Sequence, residues 1–328
     1  MRVSVIIATY NYGKYLGEAL ESVFAQDFPG NLVEVIVVDD GSTDDTAAVA
    51  ARYSNRIKYL YQANQGQGAA FNTGFAQASG DIICLLDSDD AWKPEKLSKS
   101  TAAFGEADDI GMVQHLMLDV RPDGTPMPRQ YAERSKFYSL EDFLRGRAGF
   151  TGTSGLAFRR SILDAVLPVP KSLFYCADEY LYSAILFHSR VRSLNEVLGY
   201  KKIHDANWFA GTVNDTRRLG NYIKVKAEIL KEIEAKLAEK GLRLEDTSME
   251  LPRELAKSRA LYYARVKDRK KALSVIRDEI LHGRGVRRKL FTAASLALAV
   301  ASPALYSGLY ALYSKAYPLY LRLRRAKV

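Results

Sequence analysis

The chain has 328 residues, two cysteines and a net charge of +9. This length allows one large domain with an extension, and two cysteines at unrelated positions, Cys84 and Cys176, argue against a disulfide framework or a cysteine zinc site. The charge is uneven: residues 201–328 hold 28 Lys and Arg against 13 Asp and Glu, a net +15, whereas residues 1–200 hold 19 against 25, a net −6. An acidic first part and a basic last part indicate two different tasks.

Short apolar runs alternate with helical patterns along the first 90 residues. The runs that predict strands are residues 3–8, 35–38, 57–61 and 82–86, and the helical patterns between them are residues 15–24, 46–53 and 64–78. We expect Ser42 or Thr43 to cap the second helix. This alternation predicts an α/β fold with a mostly parallel, Rossmann-like sheet and helices on both faces. Ligands of such sheets bind beyond the carboxyl ends of the strands.

Three carboxylates follow the apolar run 82–86 within four residues: Asp87, Asp89 and Asp90. Carboxylates crowded in this way repel one another unless a cation lies between them, and Mg²⁺ and Mn²⁺ take oxygen ligands while holding the phosphates of a substrate. The alternative is a solvated turn that caps a helix beginning near Pro94.

Two other strand ends also carry polar groups suited to a nucleotide. Tyr10 follows the first strand and offers a ring for stacking on a base, whereas Asp39 and Asp40 follow the second and can accept hydrogen bonds from a base or ribose. The alternatives are a surface aromatic side chain and carboxylates that only stabilise the turn at Gly41. Because the polar groups follow several strand ends, we favour the nucleotide site.

Four segments together resemble the family 2 glycosyltransferases with the GT-A fold. They are residues 4–11 (SVIIATYN), 37–44 (VVDDGSTD), 64–74 (NQGQGAAFNTG) and 86–90 (LDSDD). The resemblance covers about residues 1–205 and implies a GT-A catalytic domain, a nucleotide-sugar donor and Mg²⁺ or Mn²⁺ as cofactor.

The same resemblance implies roles for individual residues. Asp40 would accept a hydrogen bond from the base with support from Asp39, and Asp89 would ligate the metal together with Asp87. Gly66 would let the backbone approach the nucleotide closely, as glycine allows. The residues expected to contact the nucleotide are Ala8, Tyr10, Asp39, Asp40, Gly66, Asn72, Asp87 and Ser88. Phe71 stands where many members carry a basic residue.

The acceptor side of the site is expected in residues 151–205. The position that matches Asp178 supplies the general base of inverting enzymes in the family, although Ala177 replaces the acidic residue that usually precedes it. Glu179 is the second candidate base, and a purely structural carboxylate in the first turn of a helix is the alternative for Asp178. His204 would be a metal ligand or phosphate contact, or else a structural histidine. Arg121–Gly124 predicts a hairpin turn.

The last 130 residues predict helices followed by an apolar segment. Residues 215–282 have helical patterns, with Gly241 ending the first helix. Residues 290–314 carry no charge and lie between basic flanks. This segment is expected to form an interfacial helix or hairpin on an anionic membrane, a possible transmembrane span, or a helix docked on the protein itself. We expect anionic lipid, and not nucleic acid, as the partner of this tail.

These patterns predict three regions: a GT-A catalytic domain (1–205), a helical extension (206–285) and a basic, apolar membrane-associating tail (286–328). Because Met1 runs directly into the first strand with no signal peptide, we expect a cytoplasmic protein, peripheral at the inner face of the membrane. The expected reaction is inverting, metal-assisted transfer of a sugar, with a UDP-sugar as the donor favoured by the resemblance, to a hydroxyl of a lipid-linked or surface polysaccharide of the cell envelope. The alternatives are a nucleotidyltransferase and a catalytically inactive nucleotide-binding module.

Overall fold

A computed structural model of the chain describes residues 1–127, 136–205, 207 and 215–282, together with 294–295, 297–298, 300–302 and 305. The chain divides into two compact units. The first contains Met1–Met127, the described part of Glu133–His204, and Ile233–Thr247. The second contains the described part of Asp205–Glu232 and of the chain from Ser248 onward. The predicted boundaries at residues 205 and 285 stay predictions.

The first unit is built on a mixed sheet. Its described strands are β1 (Val3–Thr9), β2 (Val33–Asp39), β3 (Lys58–Tyr61), β4 (Ile82–Asp87), β5 (Ala91–Trp92), β6 (Ile110–Val120), β7 (Phe137–Tyr138), β8 (Leu156–Arg159) and β9 (Arg190–Lys202). Its helices are α1 (Gly13–Phe24), α2 (Thr46–Ala51), α3 (Gln67–Gln77), α4 (Lys96–Phe104), α5 (Leu140–Leu144), α6 (Arg160–Leu163) and α7 (Ala177–Ile185). This α/β architecture confirms the predicted fold class.

The strands follow the order β3-β2-β1-β4-β8-β6-β9-β5, and β7 also pairs with β9. The first four in this order run parallel, β8 is antiparallel to both of its neighbours, and β6 runs parallel to β9. Thr9 pairs with Asp39, and Ala8 pairs with Asp87. The carboxyl ends of β1, β2 and β4 therefore meet at one edge of the sheet, as the sequence predicted.

The central strands owe their position to continuous apolar runs. Val5 and Ile7 on β1, Val37 on β2 and Leu86 on β4 are fully buried in one hydrophobic cluster. Leu16 on α1 belongs to the same cluster. Fully burying a side chain of this size contributes about 1.5–3 kcal/mol, so these strands hold their register firmly and fix the loops that follow them.

The turn before α2 differs from the prediction. α2 begins at Thr46, and neither Ser42 nor Thr43 caps it. Instead Asp44 Oδ1 accepts a hydrogen bond from the backbone N–H of Thr46 at 3.0 Å, while Ser42 Oγ accepts one from the N–H of Asn11 at 2.8 Å. The capping prediction was wrong because Ser42 binds the loop after β1. The Asp44 carboxylate, which lies nearer the helix, accepts the hydrogen bond from the first N–H group of α2 instead.

The predicted hairpin after β6 is confirmed as far as the structure describes it. Gly124, with φ +82°, donates a hydrogen bond to the carbonyl of Arg121 at 2.9 Å, and Met127 donates to Asp119 at 2.8 Å.

The C-terminal helices are α8 (Thr216–Glu239), which is shared between the two units, α9 (Leu251–Arg265) and α10 (Arg269–His282). Within the second unit, Leu219 and Leu261 are buried together. α8 ends before Gly241, whose φ of +68° allows Leu242 to donate a hydrogen bond to the carbonyl of Leu237 at 2.9 Å. Nowhere in the described residues is there a helix with the length and apolarity needed to span a bilayer. Most of the apolar segment 290–314 lies outside the described residues.

Candidate active site

The three carboxylates after β4 form a compact cluster. Asp87 is the last residue of β4, and a turn in which the N–H of Asp90 donates to the carbonyl of Asp87 at 3.0 Å brings the others beside it. One oxygen from each of Asp87, Asp89 and Asp90 lies within 4.8 Å of the other two. Asp89 and Asp90 are buried, with exposed fractions of 7% and 5%. Three oxygen donors at this spacing suit a hard divalent cation.

Burial and mutual repulsion act on the carboxylates of the cluster. Burial, with Asp90, Asp89 and Asp178, raises the pKa of Asp87 well above its ordinary value. Burial and Asp89 raise the pKa of Asp90 to about 7. Lys201 opposes both shifts. A cation bound between the carboxylates would remove this repulsion, so the residues present fit Mg²⁺ or Mn²⁺.

Ser154 ties the cluster to a loop more than sixty residues away. Its hydroxyl donates a hydrogen bond to Asp90 Oδ2 at 2.6 Å and accepts one from the backbone N–H of Asp87 at 3.0 Å. Its carbonyl accepts a hydrogen bond from Trp92 Nε1 at 2.7 Å. Ser154 lies in residues 151–205, where the sequence predicted only the acceptor side of the site. The sequence therefore missed this residue, and its spacing from the carboxylates gave no signal.

His204 lies beside the cluster. Its Nε2 is 3.0 Å from Asp89 Oδ2, and its ring stacks on Tyr15 with centroids 4.7 Å apart. Tyr12 meets the same ring edge-on at 5.7 Å, and burial, with Asp89, Asp87 and Asp90 among the nearby charges, raises the pKa of its hydroxyl. The structure thus brings His204 to the predicted place, but its role as a metal ligand stays a prediction.

The expected base-binding residues lie at the ends of β1 and β2. Tyr10 is 48% exposed, and Ala8 is half-buried on β1 next to Asp87. Asp39 accepts hydrogen bonds from the N–H of Ser42 at 2.7 Å and from the hydroxyl of Tyr59 at 2.6 Å. Asp39 therefore holds the turn after β2. The exposed ring of Tyr10 is accessible for stacking, although its contact with a base stays a prediction.

Asp40 is bonded to the loop that precedes α3. Its Oδ1 accepts from Gln62 Nε2 at 2.7 Å and from the N–H of Gln65 at 3.0 Å, and its Oδ2 accepts from the N–H of Gly66 at 2.7 Å. The sequence assigned Asp40 to the base or ribose, with stabilisation of the turn at Gly41 as the alternative. The structure adds a second role, that of holding residues 62–66.

The glycines at the start of α3 lie against the chain before α7. A Cβ on Gly66 would be 2.6 Å from Phe174, and one on Gly68 would be 2.7 Å from the carbonyl of Leu173. The N–H groups of Gln67 and Gly68 donate to the carbonyls of Phe174 and Leu173 at 2.9 and 3.1 Å. The close approach that Gly66 permits here is to protein, and its approach to a nucleotide stays a prediction.

Asn72 and Ser88 have different surroundings. The Asn72 side chain exchanges two hydrogen bonds of 2.8 Å with the backbone of Val169, so it holds that segment against α3. Ser88 is buried, and its hydroxyl has no partner among the described residues. Contact of either side chain with a nucleotide stays a prediction.

The two candidate bases lie in the first turn of α7. This helix begins at Ala177, after Cys176 in a left-handed conformation with φ +56°. Asp178 and Glu179 are half-buried, and Asp178 is close enough to the cluster for its charge to raise the pKa of Asp87. Asp178 Oδ1 also accepts from the N–H of Glu179 at 3.0 Å. The assignment of either carboxylate as the general base stays a prediction.

The sequence profile of Glycosyl transferase family 2 matches residues 4–167, half of the chain. The chain belongs to this family. An uncharacterized glycosyltransferase of Nostoc sp. is 39% identical over an alignment of 215 residues that covers 63% of this chain and 66% of that protein. The poly(ribitol-phosphate) beta-N-acetylglucosaminyltransferase TarS of Staphylococcus aureus is 32% identical in an alignment that covers 61% of this chain and 35% of TarS. The matched region thus spans less than two thirds of these relatives.

Solved structures show the same fold. S. aureus TarS 1–349 in complex with UDP-GlcNAc has a TM-score of 0.63 at 21% identity, with 97% of this chain and 91% of that chain covered. The mannosyltransferase PcManGT of Pyrobaculum calidifontis, in complex with GDP-Man and Mn²⁺, has a TM-score of 0.58 at 19% identity, with 97% and 85% covered. The family and fold predicted from the four sequence segments are confirmed.

Proposed function

We propose that this family 2 chain is an inverting, metal-assisted glycosyltransferase. It moves a sugar from a nucleoside diphosphate sugar, with UDP as the favoured nucleotide, to a hydroxyl of a lipid-linked or surface polysaccharide acceptor. The observation that carries the proposal is the carboxylate cluster at the carboxyl edge of the sheet, with Asp178 close enough to affect it electrostatically.

Asp89 and Asp87 would hold Mg²⁺ or Mn²⁺, and the 3.0 Å contact of His204 with Asp89 supports His204 as a further candidate ligand. When bound, the cation supplies Lewis-acid neutralisation of the charge that develops on a departing diphosphate. The Mn²⁺ in the PcManGT complex supports this choice of metal.

The protein's own residues then have distinct tasks. Tyr10 stacks on the base and Asp40 accepts a hydrogen bond from it. Asp178 takes the proton from the acceptor hydroxyl as that oxygen attacks the anomeric carbon, a step that contributes about 10²–10⁴-fold in rate. Attack opposite the leaving group inverts the anomeric configuration, and no side chain needs to form a covalent intermediate.

The direct test is a panel of UDP- and GDP-sugars with Mn²⁺ or Mg²⁺, scored for donor hydrolysis and for thermal stabilisation. The structural neighbours carry a UDP-sugar and a GDP-sugar, so the nucleotide is the informative variable. We expect turnover with at least one donor, a preference for UDP, and dependence on the metal. Absence of both cleavage and stabilisation with every donor would refute the proposal.

Asp178→Asn separates an enzyme from an inactive binding module. We expect transfer to fall by at least about 10²-fold while the affinity for the nucleotide stays unchanged, because general-base catalysis is lost and the donor site is not. Glu179→Gln is the matched control on the same helical turn and should retain most activity. Unchanged turnover in Asp178→Asn would remove the base assignment, and loss only in Glu179→Gln would transfer it to Glu179.

We also propose that the tail 286–328 holds the protein at an anionic membrane surface on the cytoplasmic side. The support is the net charge of +15 in residues 201–328 and the uncharged segment 290–314 between basic flanks. The full chain should sediment with phosphatidylglycerol-containing vesicles but not with phosphatidylcholine vesicles, and deletion of 285–328 should release it. Equal sedimentation of both forms would contradict this proposal.

A further inference from the structure

A lysine is buried in the interior next to the candidate active site. Lys96 is the first residue of α4 and is fully buried. No oxygen or nitrogen atom of the described residues accepts a hydrogen bond from its Nζ, and the Cys84 thiol beside it is a weak acceptor. Burial lowers the pKa of this ammonium, with a partial offset from Cys84. Burying an amino group in this way is costly, so its position calls for a compensating role.

The main contact of the Lys96 ammonium is an aromatic face. Its Nζ lies 3.7 Å from the centroid of the Trp92 ring, within the range of a strong cation–π contact. Trp92 is itself 4% exposed, and the edge of its indole is fixed by the 2.7 Å hydrogen bond from Nε1 to the carbonyl of Ser154. The ring is therefore held on its face by Lys96 and at its edge by Ser154.

Ser154 continues the connection to the carboxylates. Through its hydroxyl it touches both Asp90 and the backbone of Asp87, at 2.6 and 3.0 Å. Each link is a direct contact, and the series runs from Lys96 through Trp92 and Ser154, all buried, to buried Asp90 and half-buried Asp87.

We propose that Lys96 is a positioning residue for the binding of the divalent cation. Its ammonium fixes the Trp92 indole, which fixes Ser154, which in turn holds Asp87 and Asp90 at the spacing that accepts the cation. The inference rests on the proposed function only in that the cluster binds Mn²⁺ or Mg²⁺. Groups that orient metal ligands without touching the metal commonly change its affinity by about 10–100-fold when they are replaced.

The competing explanation is that Lys96 only fills space in the core. The two explanations differ for Lys96→Met, which keeps the length of the side chain and removes its charge and donors. If Lys96 only filled space, this change would leave the affinity for the metal intact. If Lys96 positions the cluster, stability stays equal or rises, because a buried charge has been removed, while the affinity for Mn²⁺ falls.

The experiment measures Mn²⁺ binding to the full-length, metal-free protein by calorimetry or by electron paramagnetic resonance of free Mn²⁺, with no sugar donor present. We expect Lys96→Met to raise the Kd for Mn²⁺ by about 10-fold, while its melting temperature is no lower than that of the wild type. Trp92→Phe keeps an aromatic face and removes the Nε1–H, and it should raise the Kd for Mn²⁺ to a similar extent. Because both substitutions act through one series of contacts, the double variant should bind Mn²⁺ no more weakly than the weaker-binding single variant.

Lys99→Met is the matched control. Lys99 lies one turn further along α4, is 42% exposed at its side chain and pairs with Glu196 at the surface, so its removal should leave the Kd for Mn²⁺ unchanged. A Kd within twofold of the wild type in Lys96→Met would overturn the inference. If Lys96→Met does not fold, Trp92→Phe carries the test, and a Kd within twofold there overturns it. Failure of the wild type to bind Mn²⁺ would refute the metal site itself and the inference with it, whereas normal wild-type binding with unchanged variants would refute only the role of Lys96.

Discussion

Asp40 offers a sharp test of how the candidate nucleotide site is built. This carboxylate is 4% exposed and accepts hydrogen bonds from the backbone N–H groups of Gln65 and Gly66 at 3.0 and 2.7 Å, and from the side chain of Gln62. A hydrogen bond to a charged group contributes at least about 1.5 kcal/mol. The two backbone donors cannot turn away without moving the chain, so Asp40→Ala should lower the free energy of unfolding by about 3 kcal/mol. Asp40→Asn keeps one acceptor oxygen and should fall between that variant and the wild type.

The measurement is urea unfolding followed by circular dichroism, without nucleotide. Asp45→Ala is the matched control, because this neighbouring carboxylate is exposed and caps no helix through its side chain. The control should change stability by less than about 0.5 kcal/mol. A loss below about 1 kcal/mol in Asp40→Ala, alongside a large loss of nucleotide affinity, would mean that Asp40 serves the base and not the loop, contrary to this reasoning.

Three further predictions follow from local geometry. Gly66→Ala should cost about 1–3 kcal/mol more stability than Gly124→Ala, because both have positive φ but only at Gly66 would a Cβ meet another residue, at 2.6 Å; equal melting temperatures would contradict this. Although burial opposes the shift, hydrogen bonds from Ser4 and Ser79 lower the pKa of Glu34, so its stabilisation is present above its unfolded pKa and is lost as pH falls through the lower folded value. Glu34→Gln should therefore flatten the acid side of a plot of unfolding free energy against pH, and parallel curves would show that Glu34 contributes nothing there. A chelator should stop donor cleavage by the wild type, and added Mn²⁺ should restore it in the wild type but not in Asp89→Ala. If Asp89→Ala cleaved the donor at the wild-type rate in the presence of the chelator, a role for the cation would be excluded.

The elements that could be predicted are those whose signal lies within a few neighbouring residues. β1, β2 and β4 each contain a continuous apolar run, and α7 begins at Ala177, directly before the acidic pair Asp178 and Glu179. Once the strands were predicted to be parallel, their carboxyl ends had to meet, so the positions of Tyr10, Asp39 and Asp87 followed from sheet geometry. The four motif segments then identified the family.

The features that could not be predicted depend on residues far apart in the chain. β8 lies between β4 and β6 although more than sixty residues separate it from β4, and nothing in its four residues encodes that place. The contacts of Ser154 with the carboxylates depend on this placement, because Ser154 lies just before β8. The same is true of Phe174, whose contact with Gly66 joins two loops separated by a hundred residues.

The two aspartate-rich segments of this chain look alike in sequence, but hydrogen-bond donors and neighbouring charges affect their carboxylates differently. In VVDDGSTDD, protein donors surround the side chains: Asp40 accepts three hydrogen bonds, and those from Thr46 and Gly13 hold the pKa of Asp44 below its ordinary value despite the opposing effect of burial. In LDSDD, burial and neighbouring carboxylates raise the pKa values of Asp87 and Asp90. Asp90 also accepts hydrogen bonds from Ser154 and from the backbone N–H of Lys202, but burial and Asp89 outweigh them, so its pKa stays raised and a cation would relieve the repulsion. The balance of donors against charge, which only the fold reveals, therefore separates the segment that builds the site from the segment that is suited to hold a metal.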